Sequence, residues 1–304
     1  MQVKFWGVRG SIPSPGSQTV KYGGNTACIQ LQPEGVERHL VIDAGSGIRD
    51  LGNHLLCAEN GRSRSADLFL THTHLDHIIG FPFFAPLFRP DWTLNVYGPL
   101  TCEEDDLKTV LGTQLSYRFF PVRQAELAAN VNYSNLPEGH LDLGDGIKVA
   151  TAYLNHPLLC LAYRFDCDGC TICTAYDTEP FQNPFSVDPD DPGSTEAMVY
   201  EGEQAAAEAN QRLASFVRGA DLLIHDAQYT ASEYEAHYIG WGHTAIEDAV
   251  DLAERAGVKQ LVLFHHDPQR SDAQLDEFSR RYCEGRGNSN LQVAFAREGM
   301  VVEL

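Results

Sequence analysis

The sequence predicts an α+β fold in which two β-sheets pack face to face and helices cover their outer faces. Short apolar strand candidates dominate the first half of the chain, and glycine-rich turns separate them. The second half repeats the order of strands followed by helices. No internal repeat, low-complexity tract or Gly/Ser linker divides the 304 residues, so we expect one domain spanning residues 1–304.

The predicted strands are short apolar runs bounded by turn residues. They cover residues 2–6, 27–31, 39–42, 67–70 and 93–97 in the first half, and 147–154, 161–166, 171–174, 222–225 and 260–264 in the second. Helices are predicted over residues 45–56, 102–111, 202–216 and 244–256. The acidic segment 187–202 is predicted to be a solvated surface loop.

The charge balance limits the partners that the surface can attract. The 22 Lys and Arg residues against 42 Asp and Glu residues give a net charge of −20 at pH 7. Such a surface repels polyanions through its long-range field. The basic residues are scattered along the sequence and form no local cluster there. We therefore expect a small-molecule substrate and no extended nucleic acid as a partner.

Segments typical of export or membrane insertion are not recognisable in the sequence. No run of about 18 consecutive apolar residues occurs, and we expect no membrane partner and a cytoplasmic location. The eight cysteines do not suggest a disulfide scaffold, which agrees with a reducing compartment. Cys167, Cys170 and Cys173 have a spacing like that of iron–sulfur ligands, but the Asp168-Gly169 pair favours a β-hairpin turn.

Residues 71–77, with the sequence THTHLDH, carry the strongest chemical signal. Alternation along the preceding strand would place His72 and His74 on one side of the strand's exit, where two imidazoles can share a metal. Asp76 and His77 follow in a loop that turns towards a helix, and they could serve a second ion. Imidazole and carboxylate ligands suit zinc, and also manganese or iron, at roughly 2.0 to 2.2 Å.

Further candidate ligands lie later in the chain, because one turn cannot complete two coordination spheres. His156, Asp177 and His265 each occur where a predicted strand gives way to a loop. Side chains at such positions commonly converge on a functional site. We expect these three residues to complete the metal centre that residues 71–77 begin.

With this ligand set, the chain resembles metallo-β-lactamase-fold hydrolases over nearly its whole length. The resemblance implies a four-layer αββα sandwich with two zinc ions at one edge of the sheets, manganese or iron being alternatives. Asp43, in the segment LVIDAGSG, would orient a ligand without binding metal. The resemblance assigns one ion to His72, His74 and His156, the other to Asp76, His77 and His265, and the bridge between them to Asp177.

The resemblance narrows to the phosphodiesterase-type branch, which includes cyclic-nucleotide phosphodiesterase-like proteins. It is carried by FWGVRGSIPSPG, YGGNTAC, DAGSGIRDLG, HDAQYT, GWGHT and LFHHDP. The order of the C-terminal parts is also similar to that of transfer-RNA 3′-processing endonucleases, in which a His-Glu motif and a Gly-His-Ser/Thr motif flank the site. The matching positions are Asp226, His243 and Thr244. The chain shows no Gly/Pro/Lys-rich arm of the kind that grips transfer RNA, which favours a small substrate.

We therefore expect a metal-dependent hydrolase that cleaves a small phosphodiester, with a cyclic nucleotide as the leading candidate. A hydroxide that bridges two cations about 3.5 to 4 Å apart would attack phosphorus. The predicted catalytic residues are Asp76, His243 and Asp226. His243 would protonate the leaving alkoxide or bind a non-bridging oxygen, and Asp226 would set its tautomer. In the alternative interpretation, His243 is a surface histidine that caps the helix starting near Thr244.

Other residues are candidates to contact substrate or to support the ligands. Asn25 and Thr26 lie in the YGGNT loop, where a turn-stabilising role explains them nearly as well. Trp241, close to Tyr238 and His237, is a candidate for stacking on a base. His266 follows a proposed ligand and would either face substrate or support the site.

His225, at a strand end, is predicted to be buried and hydrogen-bonded, and not to bind metal. The aromatic residues between 81 and 89 are predicted mainly as core, with a substrate pocket as the alternative. A lactonase or other acyl hydrolase, a metal-dependent RNA-processing nuclease and a metal-binding regulatory protein stay open as alternative functions, although the GHT and HDAQ elements favour phosphate. A homo-oligomer is compatible with the sequence.

Overall fold

Two mixed seven-stranded sheets form the centre of the computed structural model, which describes residues 1–57, 64–100, 105–186, 195–284 and 290–304. The first sheet contains β1 (Gln2–Gly7), β2 (Cys28–Gln32), β3 (His39–Ile42), β4 (Ser65–Phe69), β5 (Thr93–Gly98), β6 (Asn130–Asn135) and β14 (Val301–Glu303). Their order is β14-β1-β2-β3-β4-β5-β6. Neighbours from β14 to β3 pair antiparallel, and those from β3 to β6 pair parallel.

The second sheet mirrors this mixture of parallel and antiparallel pairs. It contains β7 (Gly139–Gly144), β8 (Ile147–Tyr153), β9 (Leu161–Cys167), β10 (Cys170–Ala175), β11 (Leu222–Asp226), β12 (Gln260–Phe264) and β13 (Gln292–Phe295). The order is β13-β12-β11-β10-β9-β8-β7. Strands β10 to β13 pair parallel, whereas β7 to β10 pair antiparallel.

The described helices are of very different lengths. They are α1 (Ile48–Cys57), α2 (Leu75–Ile78), α3 (Leu107–Gln114), α4 (Glu196–Phe216), α5 (Ala231–Glu233), α6 (Ile246–Arg255) and α7 (Asp272–Ser279). Short 3₁₀ turns cover Phe81–Phe83, Ala85–Phe88 and Gln124–Glu126, and π-helical turns cover Tyr234–Tyr238 and Arg280–Glu284. None of the helices in the described ranges has the length and apolarity needed to cross a bilayer.

The main core lies between the two sheets. Alternate residues of β1, Val3 and Phe5, are fully buried there. Phe69 of β4 and Phe165 of β9 meet across the interface with their ring centroids 5.2 Å apart. Burying a large apolar side chain stabilises the fold by roughly 1.5 to 3 kcal/mol. Packing at this interface therefore fixes the position of one sheet relative to the other.

Helices cover the outer face of each sheet. Leu51 of α1 and Leu111 of α3 belong to one apolar cluster with Val41 of the first sheet. Ala249 and Ala253 of α6 pack in another cluster with α4, α7 and the second sheet. The order of layers is thus helix, sheet, sheet, helix, and the predicted αββα sandwich is confirmed.

The elements that sequence patterns missed are mostly edge strands. β6 and β7 are exposed at half or more of their positions and carry many polar residues, so they lack the buried apolar runs that mark the inner strands. The loop prediction for 187–202 is wrong from residue 195 onwards, because the Thr195 side chain accepts a hydrogen bond from Met198 N and caps α4. Residues 187–194, and positions 102–104 of the helix predicted over 102–111, lie outside the described residues.

The carboxyl ends of six strands meet at one edge of the sandwich. β3 and β4 are parallel neighbours in the first sheet. In the second sheet β10, β11 and β12 are parallel, and β8 runs in their direction because two antiparallel pairings separate it from β10. Residues that follow these six strands therefore come together at this edge, and they include the predicted ligands.

Candidate metal centre

Four ligand atoms converge at the centre of this edge. Nε2 of His265 lies 3.1 Å from Oδ2 of Asp76 and 3.2 Å from Oδ1 of Asp177. Nε2 of His77 lies 3.2 Å from the same Asp76 oxygen and 3.3 Å from the same Asp177 oxygen. A tetrahedral zinc with bonds of about 2.0 to 2.1 Å has ligand atoms roughly 3.3 Å apart. The spacing of these four atoms therefore fits a common ion.

Hydrogen bonds on the far side of each imidazole decide its tautomer. Nδ1 of His77 donates to Oδ2 of Asp43 at 2.7 Å, and Nδ1 of His265 donates to Oε1 of Gln228 at 3.1 Å. In the neutral form of each ring, Nε2 then carries a lone pair, and the two Nε2 atoms lie 3.3 Å apart. Two lone pairs and two carboxylates in a buried site repel one another, so a cation is the partner that the donor set requires.

A second group of donors shares Asp177 with the first. Its members are His72, His74, His156 and Asp177, whose ligand atoms lie within 4.8 Å of one another. Nε2 of His156 is 3.1 Å from Nδ1 of His74, and Nε2 of His72 is 3.6 Å from Oδ2 of Asp177. The buried Nε2 of His72 has no hydrogen-bond partner among the described residues. This group also fits a cation.

The histidines of the second group are oriented like those of the first. Nδ1 of His156 donates to the carbonyl of Gly242 at 3.1 Å, and Nδ1 of His72 lies 3.1 Å from Oγ1 of Thr71. Because Thr71 Oγ1 donates its own proton to Asp43, it accepts from His72. Asp43 thus supports both groups, directly through His77 and through Thr71, as its predicted orienting role requires.

The charges of the candidate ligands shift one another's pKa values. Burial alone would lower the pKa of His77, but Asp177, Asp76 and Asp43 raise it well above its usual range. Burial would raise the pKa of Asp177, yet His265, His77 and His72 hold it well below its usual range. Protons and a metal ion would therefore compete for these ligands.

His72 and His74 lie close together, but not for the reason predicted from the sequence. Strand β4 ends at Phe69, so His72 and His74 are not placed by strand alternation. They lie in the connection to α2, where His72 is buried and His74 occupies the N-cap position. The two rings still meet at 4.6 Å between centroids. The turn, and not the strand, brings these side chains together.

Three supporting residues were not predicted. Ser11, with φ of +62°, donates its backbone N–H to Oδ2 of Asp76 at 2.7 Å. Gln228 orients His265 as described above, and Gly10 lies so close that a Cβ there would come within 2.4 Å of the His265 ring. All three belong to the segments FWGVRGSIPSPG and HDAQYT, which drew attention for the resemblance without revealing these contacts.

His243 and Asp226 form a hydrogen-bonded pair beside the ligands. Nδ1 of His243 donates to Oδ2 of Asp226 at 2.8 Å, and the His243 ring stacks on His265 with centroids 5.0 Å apart. Burial lowers the pKa of His243, but Asp226, Asp177 and Asp76 outweigh it and raise the pKa to about 9. His243 is buried, and the N-cap of α6 is Ala245 without a side-chain bond, so the capping alternative is wrong.

An aromatic group forms part of the rim next to His243. Tyr229 and Tyr238 stack in parallel with centroids 4.0 Å apart, and Trp241 meets Tyr238 edge-on at 5.4 Å. Trp241 is 60% exposed, so its indole surface is free to meet a ligand. Gly242 has a φ of +79°, and a Cβ there would lie 2.3 Å from Nδ1 of His156. The Trp241 loop is thereby held against a candidate ligand.

Asn25 and Thr26 join loops and do not face the ligand cluster. The Asn25 side chain donates to Glu298 at 3.2 Å and accepts from Ser46 at 3.0 Å. Thr26 is fully buried, and its hydroxyl accepts from Ser46 N at 2.8 Å. The structure therefore supports the turn-stabilising interpretation of both residues.

His266 and His225 are buried away from the ligand atoms. Nε2 of His266 donates to the carbonyl of Ala296 at 2.8 Å, and its ring packs against Phe295. This placement contradicts a substrate-facing role for His266. His225 donates from Nδ1 to the carbonyl of Asp226 at 2.7 Å, as a buried and hydrogen-bonded residue should.

Two further sequence features have structural explanations. Among the aromatics between 81 and 89, Phe81 and Phe84 are buried in the core beneath the first sheet, whereas Phe83 and Phe88 are exposed. Cys167 and Cys170 pair across a hairpin whose turn residues, Asp168 and Gly169, both have positive φ. The cysteines of this hairpin are free thiols.

The fold and the two His/Asp groups define the class of the protein, a metallo-β-lactamase-fold metallohydrolase. A solved structure of a metallo-β-lactamase-fold protein from Bacillus subtilis matches with a TM-score of 0.64 at 18% identity, covering 100% of this chain and 99% of that one. The human short-form tRNase Z structure matches with a TM-score of 0.62 at 18% identity, covering 100% and 99%. No family model matches the chain.

A curated relative defines the family. The ribonuclease Z of Ignicoccus hospitalis is 30% identical over 257 residues, which are 76% of this chain and 79% of the relative. The chain belongs to the ribonuclease Z family. It is a metal-dependent hydrolase that acts on phosphodiester bonds.

Membership of the ribonuclease Z family contradicts the expectation that the protein has no extended nucleic acid as a partner. The net charge of −20 led to the exclusion of extended nucleic acids, and that exclusion is wrong because the relatives are ribonucleases. Net charge describes the whole surface, whereas nucleic acid binding depends on the local distribution of charge around the site. The overall acidity of the chain therefore excludes no partner of this kind.

Proposed function

We propose that the chain is a dinuclear zinc ribonuclease that hydrolyses a phosphodiester bond of an RNA substrate. The observation that carries the proposal is the sharing of Asp177 between two groups of three further donors. One carboxylate that reaches both groups would fix the distance between two ions. The RNA substrate is supported by the relatives named ribonuclease Z.

The proposed ligands follow the two groups. One ion would be held by His72, His74 and His156, and the other by Asp76, His77 and His265. Asp177 would bind both ions. When bound, a zinc pair supplies an activated water and polarises the phosphoryl oxygens. Imidazole and carboxylate donors also suit manganese or iron, so the same residues would accept those ions.

The general acid would be His243. Its Nδ1 is committed to Asp226, so Nε2 is the atom that can hand a proton to the leaving oxygen. Asp226 is held in turn by Gln228 N, which donates to Oδ1 at 3.0 Å. The Nδ1 side of the ring is thus held in place, and Nε2 is left to carry the proton that can be transferred.

Substrate recognition would involve the exposed indole of Trp241. Its edge-on contact with Tyr238 fixes the ring, and the loop is tied to His156 through Gly242. Stacking of a base on an aromatic side chain contributes about 1 to 3 kcal/mol and tolerates different bases. A nucleotide next to the cleaved bond could occupy this position.

A small cyclic phosphodiester is the second candidate substrate. It is favoured by the two-residue turn between β9 and β10, because no arm that could grip an RNA is inserted between these two strands. We also propose that the chain is one domain located in the cytoplasm, which its free cysteines support.

The test is purification with elemental analysis, followed by a hydrolysis panel. The panel contains a transfer-RNA precursor, cyclic nucleotides, an aryl phosphodiester and a lactone. We expect two metal ions per chain and cleavage of the RNA, both lost in Asp177→Asn and both kept in Asp251→Asn, an exposed surface control. Preferred cleavage of cyclic nucleotides would replace RNA by the second candidate. Lactone turnover without phosphodiester turnover would overturn the proposal.

A further inference from the structure

A groove on the outer face of the second sheet has no part in the site described above. It has a cavity volume of about 1160 Å³ and lies between α4 and strands β8 and β9. Ala150 and Ala152 of β8 form its floor, and Leu213 and Phe216 of α4 form one wall. The alternation of β8 explains the groove, because its inward residues fill the core while small alanines point outwards.

Three arginines that are distant in sequence meet in this groove. Arg164 lies on β9, in register with Ala150, and Arg212 and Arg218 lie on and just after α4. Arg164 is fixed, since its guanidinium donates to the carbonyl of Phe216 at 3.0 Å and pairs with Asp166 at 3.2 Å.

Arg212 and Arg218 are exposed, and their guanidinium groups make no ion pair or hydrogen bond within the described ranges. Two carboxylates, Glu138 and Glu208, also line the groove. The Glu138 carboxylate is engaged, because it accepts from Tyr153 N at 2.7 Å. With Arg164 paired to Asp166 and Glu138 hydrogen-bonded, Arg212 and Arg218 are the two unpaired guanidinium groups among the described residues that line the groove, and Glu208 is the carboxylate beside them.

The groove opens beside the candidate metal centre. Tyr153 and Leu154 line its near end, and the chain reaches His156 two residues later. Phe181 lines the same end and follows Asp177 by four residues. Tyr153 is 39% exposed, so an aromatic surface is available between the arginines and the ligands.

We propose that this groove binds the RNA strand that continues from the bond being cleaved. The guanidinium groups of Arg212 and Arg218 would contact phosphates, and Tyr153 and Phe181 would stack on bases near the site. The combination of two unpaired guanidinium groups with aromatic surfaces suits a single nucleic acid strand better than a duplex, whose bases are already stacked. This inference rests on the proposed RNA substrate.

The test compares two double variants with equal charge change. Arg212→Gln/Arg218→Gln alters the groove, and Arg281→Gln/Arg297→Gln alters exposed arginines outside it. We expect the groove variant to raise KM for a transfer-RNA precursor by about tenfold, at unchanged KM for an aryl phosphodiester. The slope of log affinity for single-stranded RNA against log salt should fall by about 1.4, since each phosphate contact on a single strand contributes about 0.7. The control variant should leave both values unchanged.

Each outcome separates the groove from the proposed function. RNA cleavage with the same KM in both double variants would overturn the groove and leave the function standing. Groove-dependent RNA binding without RNA cleavage would support the groove and overturn the ribonuclease. If the protein neither cleaves RNA nor binds it through the groove, both proposals are overturned. If Arg212 and Arg218 are needed for binding a polyglutamate peptide but not RNA, the assignment of the groove to RNA is overturned. Equal thermal unfolding of the variants and wild type checks that the fold is intact.

Discussion

Nε2 of His77 and Nε2 of His265 lie 3.3 Å apart although the residues are 188 positions apart in the chain. Each ring donates a proton from Nδ1, to Asp43 and to Gln228, so in the neutral form of both rings two lone pairs meet in a buried place. Such an arrangement is unfavourable by itself and favourable around a cation. The fold therefore places these two side chains in the geometry that metal binding needs.

Removal of the metal should lower the stability of the protein. Chelation leaves Asp76 and Asp177 beside lone pairs, with protonation of His77 as the only relief. An ion present at about 1,000 times its Kd stabilises a fold by about 4 kcal/mol, which for a chain of this size corresponds to a Tm shift of about 6 °C. Calorimetry with and without a chelator checks this, and added zinc should restore Tm. An unchanged Tm after proven metal loss would contradict it.

Loss of the His243 imidazole should reduce turnover while sparing the metal. A positioned acid contributes about 10²- to 10⁴-fold, so His243→Ala should lower kcat by at least about 100-fold. Elemental analysis should show the wild-type metal content. If metal is lost together with activity, His243 is a ligand and not an acid.

The same residue should set the alkaline limb of the pH–rate profile. Carboxylates raise the pKa of His243 to about 9, and bound cations would offset Asp177 and Asp76 and bring it below that value. The acid form is lost as pH rises through this pKa, so the wild-type rate should fall on an alkaline limb at or below pH 9. His243→Ala should lack that limb. A limb that persists in the variant would belong to another group.

Substitution of Gln228 should weaken metal binding through His265. Gln228→Leu removes the acceptor that fixes the His265 tautomer, and loss of such a partner typically costs about 10- to 100-fold in metal affinity. Gln228→Glu keeps an acceptor and should retain the metal. The backbone bond from Gln228 N to Asp226 persists in both variants, so His243 is undisturbed. Metal titration measures the effect, and equal affinity of the two variants would argue against it.

His266 should make the cation-free protein less stable in acid. Burial lowers its pKa from an ordinary 6.5 to about 3, so between these values the unfolded chain binds the extra proton and the folded chain does not. Stability is therefore lost as pH falls through this window, by up to about 1.4 kcal/mol per pH unit. His266→Gln keeps a donor for Ala296 and should reduce the loss between pH 6.5 and 5 by about 2 kcal/mol. Urea unfolding of the chelated proteins measures it, and parallel curves would refute the prediction.

The strands and ligands that the sequence predicts correctly are those marked by a local sequence pattern. β3 and β12 coincide with their predicted bounds because they are continuous apolar runs that end at a charged or imidazole side chain. Strands β6 and β7 escaped because exposed strands keep a polar composition, and β13 and β14 escaped because they are short and find their partners far away in sequence. Their pairing is a tertiary property.

The predictions about site residues that the structure does not support have the same physical cause. His266 follows a ligand in sequence, yet the positive φ of His265 turns the chain there, and His266 enters the core against Phe295. Asn25 bonds to Glu298, 273 residues away, which no local pattern reveals. Adjacency in sequence is therefore a poor guide wherever the backbone turns sharply.

By itself, the sequence determined which residues have the chemistry to bind metal, since THTHLDH and the later His and Asp residues are the donors that zinc prefers. It also determined the layered α+β fold, because apolar periodicity is a local property. Only the tertiary structure decided which ring nitrogen carries a proton, because Gln228 and Asp43 reach His265 and His77 across the fold. It alone gathered the arginines of the groove, since packing of α4 on β9, and not spacing along the chain, brings them together.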